Sequence, residues 1–140
     1  MINYRRTLIH GMAAAAVALM AAPGIAQAPA SNWPNKPIRY IVNFAPGGTT
    51  DILARTIGEK LGAALGQPIV VENKPGQGGS IGAAELARAA PDGYTIGAGT
   101  ISSHAINATL YDKLSYDPIT SFAPITLYAT QPNVLLVHPS

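Results

Sequence analysis

The chain has no cysteine in its 140 residues, only 11% charged and 6% aromatic residues, and no acidic residue before Asp51. Each shortage excludes something. Without cysteine there is no disulfide, no thiol nucleophile and no thiolate metal site, so the fold must be held by its core alone. Low charge leaves no Lys/Arg cluster beyond the first residues to follow a phosphate backbone, and nucleic acid is excluded as a partner. The seven carboxylates are scattered and show no paired acid/base spacing. The apolar run Met12 to Ala22 falls well short of the roughly 18 to 20 residues that cross a bilayer as a helix.

What stands at the start is an export signal. Arg5 and Arg6 precede the apolar run, and small residues follow it before Trp33, which is the charge, length and cleavage pattern of a secretory signal peptide over residues 1–30. Small residues place the cleavage near Ala26 to Ala30. The Arg5-Arg6 pair also resembles a twin-arginine signal, with Tyr4 and His10 departing from its usual flanks. Losing Arg5 and Arg6 leaves seven basic residues against seven acids, so the mature chain is formally neutral although the whole sequence carries a formal charge of +2. The apolar Val134-Leu135-Leu136-Val137 runs to His138-Pro139-Ser140 without a covering element, and the expectation is a chain that stops short of a whole protein.

Between these ends the pattern alternates strand and helix. Ile38 to Asn43 reads as a strand. Asp51 to Leu65 reads as a helix, with Leu53, Ile57, Leu61 and Leu65 along one face and Gly66-Gln67-Pro68 as its stop. Ile69 to Glu72 is a second strand, Ser80 caps a second helix reaching Ala90, Pro91-Asp92-Gly93 turns the chain, and Tyr94 to Ala98 is a third strand. This βαβαβ order predicts an α/β fold with parallel strands and right-handed crossovers over residues 31–100. Residues 101–140 read as a crossover into a second domain. In it Thr100 to Asn107 is a polar connection, Ala105 to Leu110 a short helix, and Ala123 to Tyr128 and Asn133 to Val137 two further strands.

Chemistry concentrates where strands end. Ile38 to Asp51 runs an apolar strand into a Pro-Gly-Gly turn and then a helix, which brings free backbone N–H groups and the positive end of a helix dipole next to a turn without side chains. The loop lacks the Gly-Lys-Ser/Thr of a P-loop, and Gly76-Gln77-Gly78-Gly79-Ser80-Ile81-Gly82 has its last glycine one place too late for a dinucleotide fingerprint. A small anion remains. In open α/β sheets ligands sit beyond the carboxyl ends of strands, so the loops at Phe44 to Thr49, Asn73 to Gly79 and Thr100 to His104 belong on one rim. The candidate ligand residues are Phe44, Ala45, Pro46, Gly47, Gly48, Thr49, Asp51, Thr100, Ser102, Ser103 and His104. Each has a plainer reading as well: the glycines can serve only to pack helix on strand, and Asp51 can cap its helix or fix the Gly47-Gly48 turn. Ser102 and Ser103 can form a hydroxyl wall beside His104. A Ser/His catalytic pair is the alternative, as an exported α/β enzyme acting on a carboxylated substrate, but no second ligand for a metal and no Gly-x-Ser-x-Gly element accompanies it. No metal and no cofactor is expected.

The motifs together resemble the periplasmic substrate-binding proteins of tripartite tricarboxylate transporters, the TctC or Bug family. The resemblance runs through Trp33-Pro34 and Pro37-Ile38-Arg39; Ile41-Val42 to Phe44-Ala45-Pro46-Gly47-Gly48 with Asp51 and Arg55; and Gly66-Gln67-Pro68 to Val71-Glu72-Asn73 with Pro75-Gly76 and Gly78-Gly79. It continues in Ala87-Arg88 with Pro91-Asp92-Gly93-Tyr94-Thr95, then Asn107 to Leu110-Tyr111, Tyr116-Asp117-Pro118 and Phe122-Ala123-Pro124-Ile125. Gln77 departs from the alanine expected there. The resemblance implies a periplasmic binding protein of type II, a Venus flytrap of two domains that holds a small carboxylate between them. It further implies a monomer when full length, a periplasmic location, and delivery of the ligand to membrane permease subunits or its presentation to a sensor kinase. The Phe44 to Thr49 and Thr100 to His104 loops would be the first domain's half of the cleft, meeting the carboxylate with backbone N–H groups and hydroxyls.

Overall fold

The computed structural model describes residues 32–132 and 135–138. The export signal lies outside the described residues. Every element below lies in the unit Trp33–Ser140.

Five residues of β1, Ile38–Val42, run up the middle of a three-stranded sheet with β2, Ile69–Asn73, on one side and β3, Thr95–Gly97, on the other. Both pairings are parallel, in register Ile38 with Ile69 and Arg39 with Thr95. The expected βαβαβ order is therefore present. Because β1 is central, its side chains are covered on both faces, and Ile38, Ile41 and Val42 are wholly or almost wholly buried.

Alternation along β1 sorts the two helices onto opposite faces. Tyr40 and Val42 pack with Ala54 of α1, Thr49–Leu65, and with Ala98, Ile69, Val71 and Ile96. On the other face Arg39 donates to Glu72 of β2 and to Glu85 of α2, Ser80–Ala87, and Lys74 pairs with the same two carboxylates. Arg39 above all holds the Glu72 carboxyl down, at about 2.

Helix α1 begins at Thr49 and ends at Gly66, whose left-handed conformation (φ 69°) closes it as glycine readily does. Its buried ridge is not the leucine stripe. Leu53, Ile57, Leu61 and Leu65 are half-buried, whereas Asp51, Ala54 and Gly58 are buried. A Cβ on Gly58 would stand 3.3 Å from Ile69 Cγ2, and one on Gly62 would stand 3.1 Å from Gln67 O. Small residues let the helix lie close to the sheet, and the leucines flank that contact.

Three other expectations change. Ser80 does not cap α2: Gly79 holds the cap position (φ 90°) after a tight 3₁₀ turn at Gln77–Gly79, and the helix stops at Ala87 rather than Ala90. The polar stretch from Thr100 is helical: a wide π-type turn over Ser102–Ile106 leads into α3, Asn107–Leu110. Hydroxyl side chains bond its backbone there: Ser103 Oγ accepts from the Thr100 N–H, Thr100 Oγ1 accepts from the Ser103 N–H, and Tyr116 Oη donates to Ser103 O, which makes a polar sequence compatible with a helix. Ala123 to Tyr128 forms no strand, and Leu135 to Val137 are unpaired and exposed; Asn133 and Val134 lie outside the described residues. Apolar, β-branched composition favours a strand only where a partner supplies the ladder, and among the described residues no strand pairs with either segment.

Candidate functional site

All three strands point their carboxyl ends the same way, so the loops that follow them share one rim. Gly79 is where they meet. A Cβ there would lie 3.3 Å from Asn43 Cβ and from Phe44 Cζ, and 3.4 Å from Ser103 Cβ, which are residues of the first and third loops. Only a residue without a side chain, and at ease at φ 90°, brings the second loop this close to both neighbours.

The first loop is fixed by charge. Asp51, buried in the first turn of α1, accepts from the Gly47 N–H at 2.9 Å, from Asn73 Nδ2 at 2.9 Å and from Arg55 Nε at 3.1 Å. Arg55 above all, then the Gly47 N–H and Asn73, hold its carboxyl well below the usual carboxylate range. Both oxygens are engaged within the loop, so Asp51 fixes the turn and is not free to meet a ligand. With Arg55 it forms a neutral pair, and attraction for an anion is left to the backbone.

That backbone is open. Ala45, Pro46, Gly47, Gly48 and Thr49 are exposed; a Cβ on Gly47 would meet nothing within 4 Å, and one on Gly48 only Ala45 O at 3.7 Å. Gly48 precedes the helix with φ −78° and makes no side-chain cap, so the N–H groups of the first turn have neither a cap nor an intrahelical carbonyl. Phe44 is half-buried and forms the wall next to Gly79.

The third loop is fixed without charge. Ser103 is completely buried and makes hydrogen bonds with Asn43 Nδ2, the Thr100 N–H and His104 Nδ1. It therefore belongs under the rim rather than on a hydroxyl wall. Thr100 and Ser102 are half-buried. His104 is half-buried, its ring 4.6 Å from that of Phe122 and 6.2 Å from that of Tyr116, and burial lowers its pKa. Although Ser103 and His104 are hydrogen-bonded, a substrate cannot reach the buried hydroxyl, which removes the nucleophile from the alternative enzyme reading.

Three asparagines escaped the candidate set and turn out to hold the rim together. Asn43 directly follows β1, is fully buried, and donates to Ala98 O at 2.9 Å, pinning the third loop; its Oδ1 has no partner among the described residues. Asn73 ends β2 and donates to Phe44 O at 3.0 Å, pinning the first. Asn107, 1% exposed, donates to Gly78 O at 3.0 Å and Ser80 Oγ at 2.8 Å, pinning the second. A signal for two of them was available: an amide at the end of an apolar strand is out of character for the strand and natural for a loop clamp. Among the described residues no group of His, Asp and Glu is placed to hold a metal ion, and no helix is long and apolar enough to cross a membrane.

Comparison with known proteins shows the family. The profile of the tripartite tricarboxylate transporter family receptor, TctC, matches residues 53–140. A UPF0065 protein of Bordetella pertussis is 39% identical over 125 residues, covering 89% of this chain and 38% of its own. The periplasmic binding protein BugD superposes with a TM-score of 0.61 at 45% identity, over 66% of this chain and 31% of BugD. MatC of Rhodopseudomonas palustris, solved with bound malate, superposes with a TM-score of 0.63 at 41% identity, over 66% of this chain and 31% of MatC. The chain spans about a third of the length of the curated relatives it matches, between 33 and 38% for the first three. Of these structural neighbours BugD is a periplasmic binding protein and MatC holds malate.

Proposed function

The chain belongs to the tripartite tricarboxylate transporter receptor family, and on that premise we propose that it is a periplasmic solute-binding receptor which captures a small organic carboxylate for membrane permease subunits. The observation that carries the reading is the rim itself. Three loops meet at Gly79, and one of them exposes the Gly47-Gly48 backbone beside the uncapped first turn of a 17-residue helix. Oriented N–H donors at a helix start favour a carboxylate without a paired cation. Arg55, the basic residue at this loop, is already paired with Asp51.

The ligand-contacting set in this reading is Phe44, Ala45, Pro46, Gly47, Gly48, Thr49, Thr100, Ser102 and His104, with Asp51 and Ser103 as the groups that hold them in position. Residues 1–30 direct export and are removed, residues 31–100 form the first domain's part of the cleft, and residues 101–140 lead toward a second domain. The receptor works as a monomer. MatC carries malate, which supports a hydroxylated dicarboxylate as the first ligand to try.

The deciding experiment is an equilibrium titration of the protein expressed from its complete reading frame against malate, other di- and tricarboxylates, amino acids and aromatic acids. A ligand at 100 times its Kd should stabilise the fold by about 2.7 kcal/mol. Stabilisation by none of them would end the receptor reading.

A further inference from the structure

The hydrogen-bond arithmetic at Ser103 Oγ determines the chemical state of His104. Two of its neighbours can only donate: Asn43 Nδ2 at 3.3 Å and the Thr100 backbone N–H at 3.2 Å. A hydroxyl oxygen has two lone pairs, and these donors occupy both. What remains is the hydroxyl proton. Its nearest acceptor is His104 Nδ1 at 2.8 Å, ahead of Thr100 Oγ1 at 3.1 Å and Thr100 O at 3.3 Å. A proton on Nδ1 would face an oxygen with no lone pair left, whichever way the hydroxyl turned. Nor can the Asn43 amide reverse, because the same Nδ2 donates to Ala98 O.

We infer that Ser103 locks His104 as the neutral Nε2–H tautomer, so that the imidazole offers the ligand a single donor, accepts a carboxylate or hydroxyl oxygen there, and refuses an ammonium. This rests on the reading of the rim as the ligand site. Three further observations support it. Nε2 has no hydrogen-bond partner among the described residues, and it is not one of the fully buried polar atoms that lack a partner. The ring cannot swing freely: Phe122 and Tyr116 pack on it, and a Cβ on Gly99 would lie 3.3 to 3.5 Å from its atoms. Burial favours the uncharged ring, and among the described residues no carboxylate is paired with it to oppose that.

The locked donor complements the first loop. There the backbone N–H groups attract negative charge without reading the shape of the group that carries it. His104 adds a direction, and a group that can only donate finds no partner on it. Ser103 acts through His104 as a positioning residue, since it is buried and touches no ligand.

The test begins with the imidazole nitrogens, read by NMR in histidine-labelled protein expressed from its complete reading frame, with His104 assigned through its loss in His104→Gln. The expected result at neutral pH is a pyrrole-like Nε2 and a pyridine-like Nδ1, without averaging; a protonated Nδ1 or an averaged pair would overturn the assignment. Ser103→Thr, which keeps the hydroxyl, should preserve the signature, and Ser103→Ala should average it. Saturating malate should move the Nε2 signal, and an unmoved signal would take His104 out of the site. Malate should bind more tightly than isoserine, in which an ammonium replaces one carboxylate, and His104→Gln should narrow that preference by about ten-fold, because an amide can accept as well as donate. An unchanged preference overturns the specificity role. Binding of no acid at all would end both the receptor reading and that role, while the tautomer would still be read from the spectrum.

Discussion

The first and third loops of the rim do the same mechanical job by opposite means. The first is tied by an ionised carboxylate, Asp51, to a guanidinium, an amide and a backbone N–H. The third is tied by neutral groups, Ser103 and Asn43, both fully buried, and the second by the neutral Asn107, 1% exposed. The charged clamp sits beside solvent, with Arg55 about half exposed, whereas the neutral clamps lie beneath the rim where an unpaired charge would be costly. The difference teaches where each loop is vulnerable. Proton concentration reaches the first, and loss of a single buried partner reaches the third.

The largest effect should come from removing a neutral clamp. Asn107→Ala leaves the buried Ser80 Oγ and the part-buried Gly78 O without their donor, and a loss of about 1–3 kcal/mol in denaturant unfolding is expected. A change within experimental scatter would break the comparison by showing that this loop holds itself. Next is Gly48→Val. Gly48 has an ordinary extended conformation and open space around it, so no positive-φ strain accompanies the change and the fold should survive. The valine would occupy the approach to the helix N-terminus, and affinity for the acid should fall by about ten-fold or more, as for a lost charge-assisted hydrogen bond. Unchanged affinity would take the first loop out of the site.

The smallest effect separates the two clamps by pH. Asp51 titrates below its ordinary value of 3.8 in the folded protein, chiefly because of Arg55, and Glu72 titrates at about 2 instead of 4.5, chiefly because of Arg39. A depressed carboxyl contributes stability that is full above its unfolded pKa and is lost as pH falls through the folded one. Melting temperature should therefore drop as pH is lowered from about 4.5 toward 2. Asp51→Asn should flatten that dependence, whereas Ser103→Thr should leave it intact. An equal acid response in both variants would show that the two loops are not held by different physics.

Much of the rim was legible in the sequence because its cause is local. Pro46-Gly47-Gly48 after an apolar strand specifies a bare turn before a helix, and the alternation of strands with helices places three such loops on one edge. Asp51 could be weighed as a turn-fixing group, which is the role it has. The asparagine clamps were not legible, since each reaches across many residues: Asn43 to Ser103, Asn73 to Phe44, Asn107 to Gly78. The leucine stripe of α1 misled because periodicity reports which face is apolar, not which ridge is small enough to lie against the sheet. The segment from Ala123 misled because apolar composition carries no information about a partner.

The sequence by itself determined the alternation, the parallel sheet, the glycine turn and the family resemblance, because propensity, turn chemistry and motif order are properties of neighbours along the chain. Only the tertiary structure decided that Ser103 lies buried beneath the rim, that Gly79 joins the three loops, and that a buried hydroxyl sets the proton on His104. Those outcomes depend on which groups distant in sequence share two lone pairs or a few ångströms of space, and packing alone brings such groups together.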